Sequence, residues 1–218
     1  MKKNLTVLLA ALLMGGTAFG QAVSDRNIIP VAVNLNQVLR MNINNGGNIE
    51  FMFNTIDEYK LGISGDAGTS GSANLAGTDD MYQTNFTIAS STTWELSYGA
   101  EQATFIGTDD PANTGLALDN VGFSLASDGA HAFGTELVSA PTTDGSAVAD
   151  LDVYPVALIT DAGLAGSANA GDATDNDFTI TWRCGTIEGG MNAVRLIEQS
   201  ITPDRYVANV LFELAVAP

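Results

Sequence analysis

The sequence predicts an all-β protein, an antiparallel β-sandwich of the immunoglobulin-like or jelly-roll type with long loops rich in Gly, Ser and Asp. Apolar and polar residues alternate with a period of two in many short segments, and that period belongs to strands rather than helices. Turn-forming residues separate these segments at short intervals, as they do in sandwiches. Outside residues 5–20, no stretch of the sequence has the periodicity of a long amphipathic helix.

The last predicted strand, residues 206–216, has the clearest pattern. Its apolar side chains fall on one face, which carries Tyr206, Val210, Phe212, Leu214 and Val216. The opposite face includes Asn209 and Glu213. Because a well-filled apolar face must be covered, this strand predicts a second sheet packed against it.

Residues 1–20 have the features of a secretory signal peptide. Lys2 and Lys3 precede an uncharged, mostly apolar run, and Ala18 and Gly20 put small residues at the −3 and −1 positions of a cleavage site. Cleavage after Ala22 is the close alternative. The run is too short for a membrane anchor, so we expect no membrane insertion of the mature chain. Residues 21–218 are then predicted to form a single β-sandwich domain that is secreted or held at the cell surface.

The remaining elements follow in chain order. Strands are predicted at residues 28–34, 35–43, 49–53, 82–89, 94–98, 116–125, 130–138, 153–159, 178–184 and 194–197. Asn-Asn-Gly-Gly at residues 44–47 is typical of a hairpin turn. Residues 56–61 either continue the preceding strand or form one helical turn. Long loops are predicted at residues 62–80, 141–150 and 161–177.

The segment at residues 23–34 precedes the first hairpin and contains the alternating set Ile29, Val31 and Val33. Such a segment can complete its own sandwich or pair with an exposed edge of a neighbouring copy. Pairing within the chain costs less ordering entropy and is the default expectation.

The formal charge of −17 narrows the choice of partners. Nucleic acid requires clusters of Lys and Arg that neutralise phosphates, and the chain has only 8 such residues. An anionic membrane surface is disfavoured for the same reason. We therefore expect self-association, other surface proteins or glycans as partners, and carboxylates that are available to divalent cations.

Whether the chain is predicted to be an enzyme depends on His131, on Cys184 and on the carboxylates. A glycosidase needs only two carboxylates, so composition does not exclude one, but no pair stands out as its acid and base. His131 is the only histidine, so a nucleophilic triad or dyad would have to use it, yet it lies in a segment typical of a hairpin tip. Cys184, the only cysteine, shares a strand face with Phe178, Ile180 and Trp182. We interpret it as a buried small hydrophobe, with an intermolecular disulfide as the alternative. The prediction is that the protein is not an enzyme.

The acidic loops suggest a metal site. Asp172, Asp175 and Asp177 are the candidate calcium ligands, because calcium takes six to eight hard oxygen ligands from loops. Asp79-Asp80 and Asp109-Asp110 are similar acidic pairs. None of these segments matches the EF-hand loop. The alternative is that the carboxylates cap turns and face solvent.

The two tryptophans also have two interpretations. Trp94 and Trp182 lie on predicted strands, where exposed rings would stack on sugars. Sandwich cores commonly contain such residues, so burial in the core is the favoured interpretation.

Several of these segments together carry a resemblance. The signal peptide with Gln21 next, the Asn-Phe-Thr-Ile and Trp-Glu-Leu segments, and the ending Asp-Arg-Tyr-Val-Ala-Asn-Val-Leu-Phe-Glu-Leu resemble secreted immunoglobulin-like surface proteins of Bacteroidota-type bacteria. The ending is also similar to the closing strand of bacterial fimbrial and spore-coat-U-like subunits.

The resemblance and the export signal imply a non-enzymatic extracellular structural or adhesive protein, a subunit of a surface filament, fimbria or surface layer. The alternative is a calcium- or carbohydrate-binding β-sandwich module.

Overall fold

A computed structural model describes residues 29–65, 75–76, 80–139, 147–163 and 168–217. The chain divides into two compact units, Met1–Leu35 and Asn36–Pro218. The predicted signal peptide at residues 1–20, the start of the segment at residues 23–34 and much of the three predicted long loops lie outside the described residues. In the first unit, residues 29–35 belong to no strand, and the side chains of Ile29, Val31, Val33 and Leu35 are exposed.

The second unit is an all-β sandwich, which confirms the predicted fold class. Its larger sheet has seven strands: β1 (Leu39–Asn45), β2 (Ile63–Ser64), β3 (Leu75–Ala76), β4 (Gln83–Ser90), β7 (Val121–Ser127), β9 (Ala149–Asp150) and β11 (Asp177–Cys184). The second sheet has four: β5 (Trp94–Ala100), β8 (Leu137–Ser139), β10 (Val156–Asp161) and β13 (Val210–Val216). The short strands β6 (Ile106–Gly107) and β12 (Tyr206–Val207) form a separate ribbon.

The strands pair antiparallel except for β2 and β3, which are parallel. In the larger sheet, β11 lies between β4 and β7, and β1 follows β4. The second sheet runs in the order β13, β5, β10, β8, so β13 is an edge strand. One side of β13 therefore has no neighbouring strand in this sheet among the described residues.

Aromatic side chains from both sheets meet in the core. Trp94 of β5 packs edge-on against Phe178 of β11 at 6.0 Å between ring centroids. Tyr98 of β5 packs in the same way on Phe123 of β7 at 5.0 Å. Burial alternates along the whole of β4 and along the first residues of β5 and β11, so every second side chain there points inward, and Trp94, Tyr98 and Phe178 are among them. Burial of large apolar side chains between two sheets is the main stabilising contribution in such a fold.

One short helix interrupts the strands, so of the two alternatives for residues 56–61 the helical one is observed. Helix α1 (Ile56–Leu61) begins at Thr55, whose hydroxyl accepts a hydrogen bond from the Glu58 N–H at 3.3 Å, while the Glu58 carboxylate accepts from the Thr55 N–H at 2.7 Å. This reciprocal capping box satisfies two N–H groups that the helix itself leaves free. The helix ends at Gly62, where φ is +79° and an added Cβ would lie 2.5 Å from Gly185.

The terminal strand differs from its prediction. Residues 206–216 form two strands, β12 and β13, that pair with different partners, β6 and β5. The face assignment largely holds, because Val210, Phe212 and Leu214 pack against the core, whereas Val216 at the end is exposed.

Five other segments predicted as strands also differ. Of the strand predicted at residues 28–34, the described residues 29–34 form no strand. Residues 49–53 keep the alternation but join no strand, and residues 116–120 contain the 3-10 helix Leu118–Asn120 before β7 begins. Residues 130–136 are turns that precede β8. Residues 194–197 lead into the 3-10 helix Leu196–Glu198. None of the helices in the described part of the chain has the length and apolar character needed to cross a bilayer.

Candidate functional site

The acidic turn at residues 172–177 is stabilised by hydrogen bonds from its main-chain N–H groups to its own carboxylates. Asp172 Oδ1 accepts hydrogen bonds from the main-chain N–H groups of Thr174, at 2.7 Å, and Asp175, at 3.3 Å. Asp175 Oδ2 accepts in return from the Asp172 N–H at 3.0 Å. The main-chain N–H groups of Thr174 and Asp175 lower the pKa of the Asp172 carboxyl.

The third candidate ligand points elsewhere. Asp177 begins β11, and its Oδ1 accepts a hydrogen bond from Asn85 Nδ2 on β4 at 2.7 Å. The turn thus brings Asp172 and Asp175 together, while Asp177 faces the neighbouring strand. Within the ranges that the structure describes, no three His, Cys, Asp or Glu side chains form a group that could hold a metal ion. Calcium binding stays a prediction.

His131 and Cys184 both have contacts that account for them as structural residues. His131 Nε2 lies 3.1 Å from the carbonyl oxygen of Ala170, and the His131 N–H donates to the Asp175 carbonyl at 3.0 Å. Cys184 is buried at the end of β11, which confirms its predicted burial, and burial raises the pKa of its thiol to about 12. A thiol with so high a pKa is protonated at neutral pH and is a poor nucleophile.

Both tryptophans are buried, as the core interpretation predicted. Trp94 is 0% exposed, and its indole Nε1 donates to the main-chain oxygen of Asn169 at 2.7 Å. The Asn169 side chain also bonds the Trp94 N–H and C=O groups, at 3.2 and 2.8 Å. Trp182 Nε1 donates to Thr84 Oγ1 at 3.0 Å. The Trp94 ring is therefore not presented for stacking on a sugar, and only 6% of Trp182 is exposed.

An apolar groove of about 900 Å³ lies beside β13, at the edge that has no partner strand among the described residues. We call it the edge groove. Residues 46–54 form its first wall, and residues 200–210 with Phe212 form its second wall. Trp182 and Cys184 contribute to the apolar surface between these walls. The groove opens the core to the surface at this side of the sandwich.

The first wall is an extended segment with no strand partner among the described residues. Ile49, Phe51 and Phe53 turn inward and pack against the core, whereas Glu50 and Met52 are exposed. The Phe51 ring stacks on Tyr82 with 4.8 Å between centroids. Within the described part of the chain, the main-chain groups of residues 48–53 make no main-chain hydrogen bond. This wall therefore has the alternation of a strand and lacks the ladder.

The second wall includes the edge of β13 that has no partner strand among the described residues. The Glu101 N–H donates to the Asn209 carbonyl at 2.9 Å, and the Ala217 N–H donates to the Thr93 carbonyl at 3.1 Å. Hydrogen-bonded pairs alternate along an antiparallel ladder, so the odd-numbered residues of β13 bond to β5. The N–H and C=O groups of Val210 and Phe212 consequently point to the edge groove.

Polar contacts line the rim of the groove. Arg205 Nε lies 3.0 Å from Glu50 Oε1, and this exposed ion pair joins the two walls. The Asp204 carboxylate accepts hydrogen bonds from the main-chain N–H groups of Asp109, at 3.0 Å, and Asp110, at 3.3 Å. These N–H groups, with Asn113 and Arg205, lower the pKa of Asp204. The second wall is thus fixed to the turn at residues 109–113.

A second concavity lies on the outer face of β1 and β4. Its volume is about 460 Å³, and its lining includes Arg40, Asn42 and Asn44. Asn42 Nδ2 donates to Asn44 Oδ1 at 2.6 Å, and Asn44 Nδ2 donates to Asn85 Oδ1 at 2.6 Å. Amide and guanidinium groups on a concave surface can bond the hydroxyl groups of a sugar.

The chain matches no protein-family model and no curated protein. An apolar groove with unpaired main chain on both walls suits an extended peptide, which would bond to the edges and place alternate side chains inside. In the sequence, the groove is indicated only by the alternation of apolar residues at 49–53. A strand with a ladder partner would show the same alternation.

Proposed function

We propose that the protein is a non-enzymatic extracellular structural subunit that associates through strand edges into a filament, fimbria or surface layer. The observation that carries this proposal is the edge groove, whose two walls both have main-chain groups with no ladder partner among the described residues. Unprotected edges of this kind normally bring unwanted aggregation, and proteins cover or charge them. An edge left open beside an apolar groove is the feature expected of a chain that adds strands from a partner.

Three further features support the proposal. The sequence begins with the pattern of a secretory signal, which would deliver the chain to the cell exterior. The His131 ring lies against a main-chain carbonyl, and the Cys184 thiol is protonated and buried, so both are accounted for by structural roles. The strongly acidic body favours solubility before assembly.

Electron microscopy with a gold-labelled antibody on intact producing cells tests this function. We expect gold particles along filaments or in a continuous layer on the cell surface. Cells that lack the coding sequence are the control for antibody specificity. Labelling that is confined to the cell interior, or that marks only dispersed monomers in the medium, would contradict the proposal.

A second candidate function is carbohydrate binding at the outer-face concavity. The observation that favours it is the row of Arg40, Asn42 and Asn44 along one concave surface. Calorimetry of the purified protein against a panel of glycans tests it, with Asn42→Ala as the variant that should weaken binding. Tight binding of a saccharide by the monomer, lost in that variant, would favour this function over the structural one.

A further inference from the structure

Residues 29–35 carry an apolar face. The exposed fractions of Ile29, Val31, Val33 and Leu35 are 83%, 84%, 75% and 91%. The segment Ile-Pro-Val-Ala-Val-Asn-Leu contains no charged residue, although the chain carries a formal charge of −17. Four large apolar side chains in alternate positions match one face of a strand that has no core to cover.

We propose that residues 29–35 of one copy insert as a strand into the edge groove of a second copy of this chain. This inference rests on the proposed function and names the partner and the surface. The inserted strand would bond on one side to the outward groups of Val210 and Phe212 and on the other side to residues 48–53. Its odd-numbered side chains would then enter the groove, and Ala32 and Asn34 would face outward.

The dimensions and chemistry of the two parts agree. Seven residues in a strand span about 20 Å. Pro30 has no N–H, and a proline is accepted at the first position of a strand, so pairing would begin at Val31. Because the segment is uncharged, its insertion brings no additional like charge next to Glu50 or Asp204 at the rim. An apolar strand is therefore the part of this acidic chain best suited to approach another copy.

The connection to β1 argues against the groove of the same chain. The Val38 N–H donates to Ser91 Oγ at 2.9 Å, and the Ser91 N–H donates to the Val38 carbonyl at 2.9 Å. These bonds fix the chain at the start of β1, and the groove lining begins near its other end, at Ile43. Residues 29–35 precede this fixed end of β1 in the chain, whereas the groove lies toward its other end, so we place them in the groove of a second copy.

Two complementary variants of the processed chain, residues 21–218, test the inference. Val31→Asp with Val33→Asp puts charges on the inserting face and leaves the groove intact. Val210→Pro removes an N–H that points away from β5, so it keeps the β13–β5 ladder and blocks pairing at the groove. In sedimentation velocity, we expect the parent to form a series of oligomers and each variant to stay monomeric. An equimolar mixture of the two variants should stop at dimers, because it contains one working segment and one working groove per pair.

A matched variant controls for charge. Ala32→Asp with Asn34→Asp adds the same two charges on the outward face and should assemble as the parent does. A labelled peptide of residues 29–35 gives a second readout that does not depend on the folding of Val210→Pro. The peptide should bind to the Val31→Asp, Val33→Asp chain with saturation, and the same peptide carrying the two Asp substitutions should show no binding.

The outcomes separate this inference from the proposed function. Assembly of the Val31→Asp, Val33→Asp chain equal to that of the parent would overturn the inference and leave a structural subunit that associates through another surface. The inference would also be overturned if the parent stays monomeric and the same two substitutions lower its melting temperature. That result would show that the segment fills the groove of its own chain. Absence of the protein from surface structures on cells would reject the proposed function itself.

Discussion

Asn169 offers a direct test of the core, because its side chain makes the hydrogen bonds to the main chain of Trp94 that a neighbouring strand would otherwise make. The main-chain groups of Trp94 point away from β13, since residues 93 and 217 form the hydrogen-bonded pair beside it. Asn169 Oδ1 accepts from the Trp94 N–H at 3.2 Å, and Asn169 Nδ2 donates to the Trp94 carbonyl at 2.8 Å. Both residues are 0% exposed. Asn169→Ala therefore leaves one N–H and one C=O buried without a partner.

The magnitude follows from those two groups. A buried polar group that loses its partner costs about 1–3 kcal/mol, so the substitution should destabilise the fold by about 2–6 kcal/mol. For a domain of this size that corresponds to a fall in melting temperature of about 5–20 °C. Urea unfolding followed by tryptophan fluorescence measures the change. The control is Asn42→Ala on the exposed face of β1, which should change stability by less than about 0.5 kcal/mol. Equal unfolding midpoints for the two variants would refute the role given to Asn169.

Three other predictions concern charged groups. Arg183 and Glu188 form a 2.8 Å ion pair whose side chains are 0% and 1% exposed. Arg183→Met leaves the Glu188 carboxylate buried without this partner and should lower the free energy of unfolding in urea by about 3–5 kcal/mol, whereas Arg183→Met with Glu188→Leu should recover most of that loss. A double variant as unstable as the single one would contradict this. The pKa of Asp204 in the folded state is below its ordinary value of 3.8. The ionised Asp204 therefore stabilises the fold fully above pH 3.8, and this contribution is lost as the pH falls through the folded-state pKa. The melting temperature of Asp204→Asn should therefore fall less than that of the parent on acidification, and parallel curves would count against it. If the acidic turn binds calcium, chelation should lower the melting temperature, and Asp175→Asn with Asp177→Asn should abolish that effect; no response to added calcium or chelator would rule the site out.

The sandwich and its core could be predicted because side-chain alternation reports directly which face of a strand is buried. Phe178, Ile180, Trp182 and Cys184 alternate in the sequence, and all four are buried. The same logic placed both tryptophans in the core. Alternation is strongest where one face packs against a second sheet, as it does along β4 and β11.

Alternation does not report which strand is the neighbour, and this explains most of the differences. Side chains alternate without a break from Tyr206 to Leu214, yet the main chain changes its partner from β6 to β5 near Ala208. Residues 49–53 alternate in the same way and have no ladder partner among the described residues. Pairing depends on which distant segments meet, and a single sequence does not contain that information in readable form.

The buried ion pair was also beyond prediction from sequence. Arg183 interrupts the apolar run of β11, and Glu188 follows in a loop, so each is typical of an exposed charge when considered alone. Only the fold brings Arg183 Nη1 within 2.8 Å of Glu188 Oε2 and places Arg183 Nη2 3.2 Å from Ser124 Oγ. The candidate ligands Asp172, Asp175 and Asp177 were readable as an acidic loop, but the sequence did not reveal that the first two cap their own turn.

Hydrogen exchange of the processed chain, measured by mass spectrometry at a low and a high protein concentration, shows whether copies associate by strand insertion at the edge groove. We expect residues 31–35, residues 48–53 and the amides of Val210 and Phe212 to gain protection together as concentration rises, because all of them acquire ladder partners in the same event. Association that protects other surfaces and leaves these amides in rapid exchange would contradict the account.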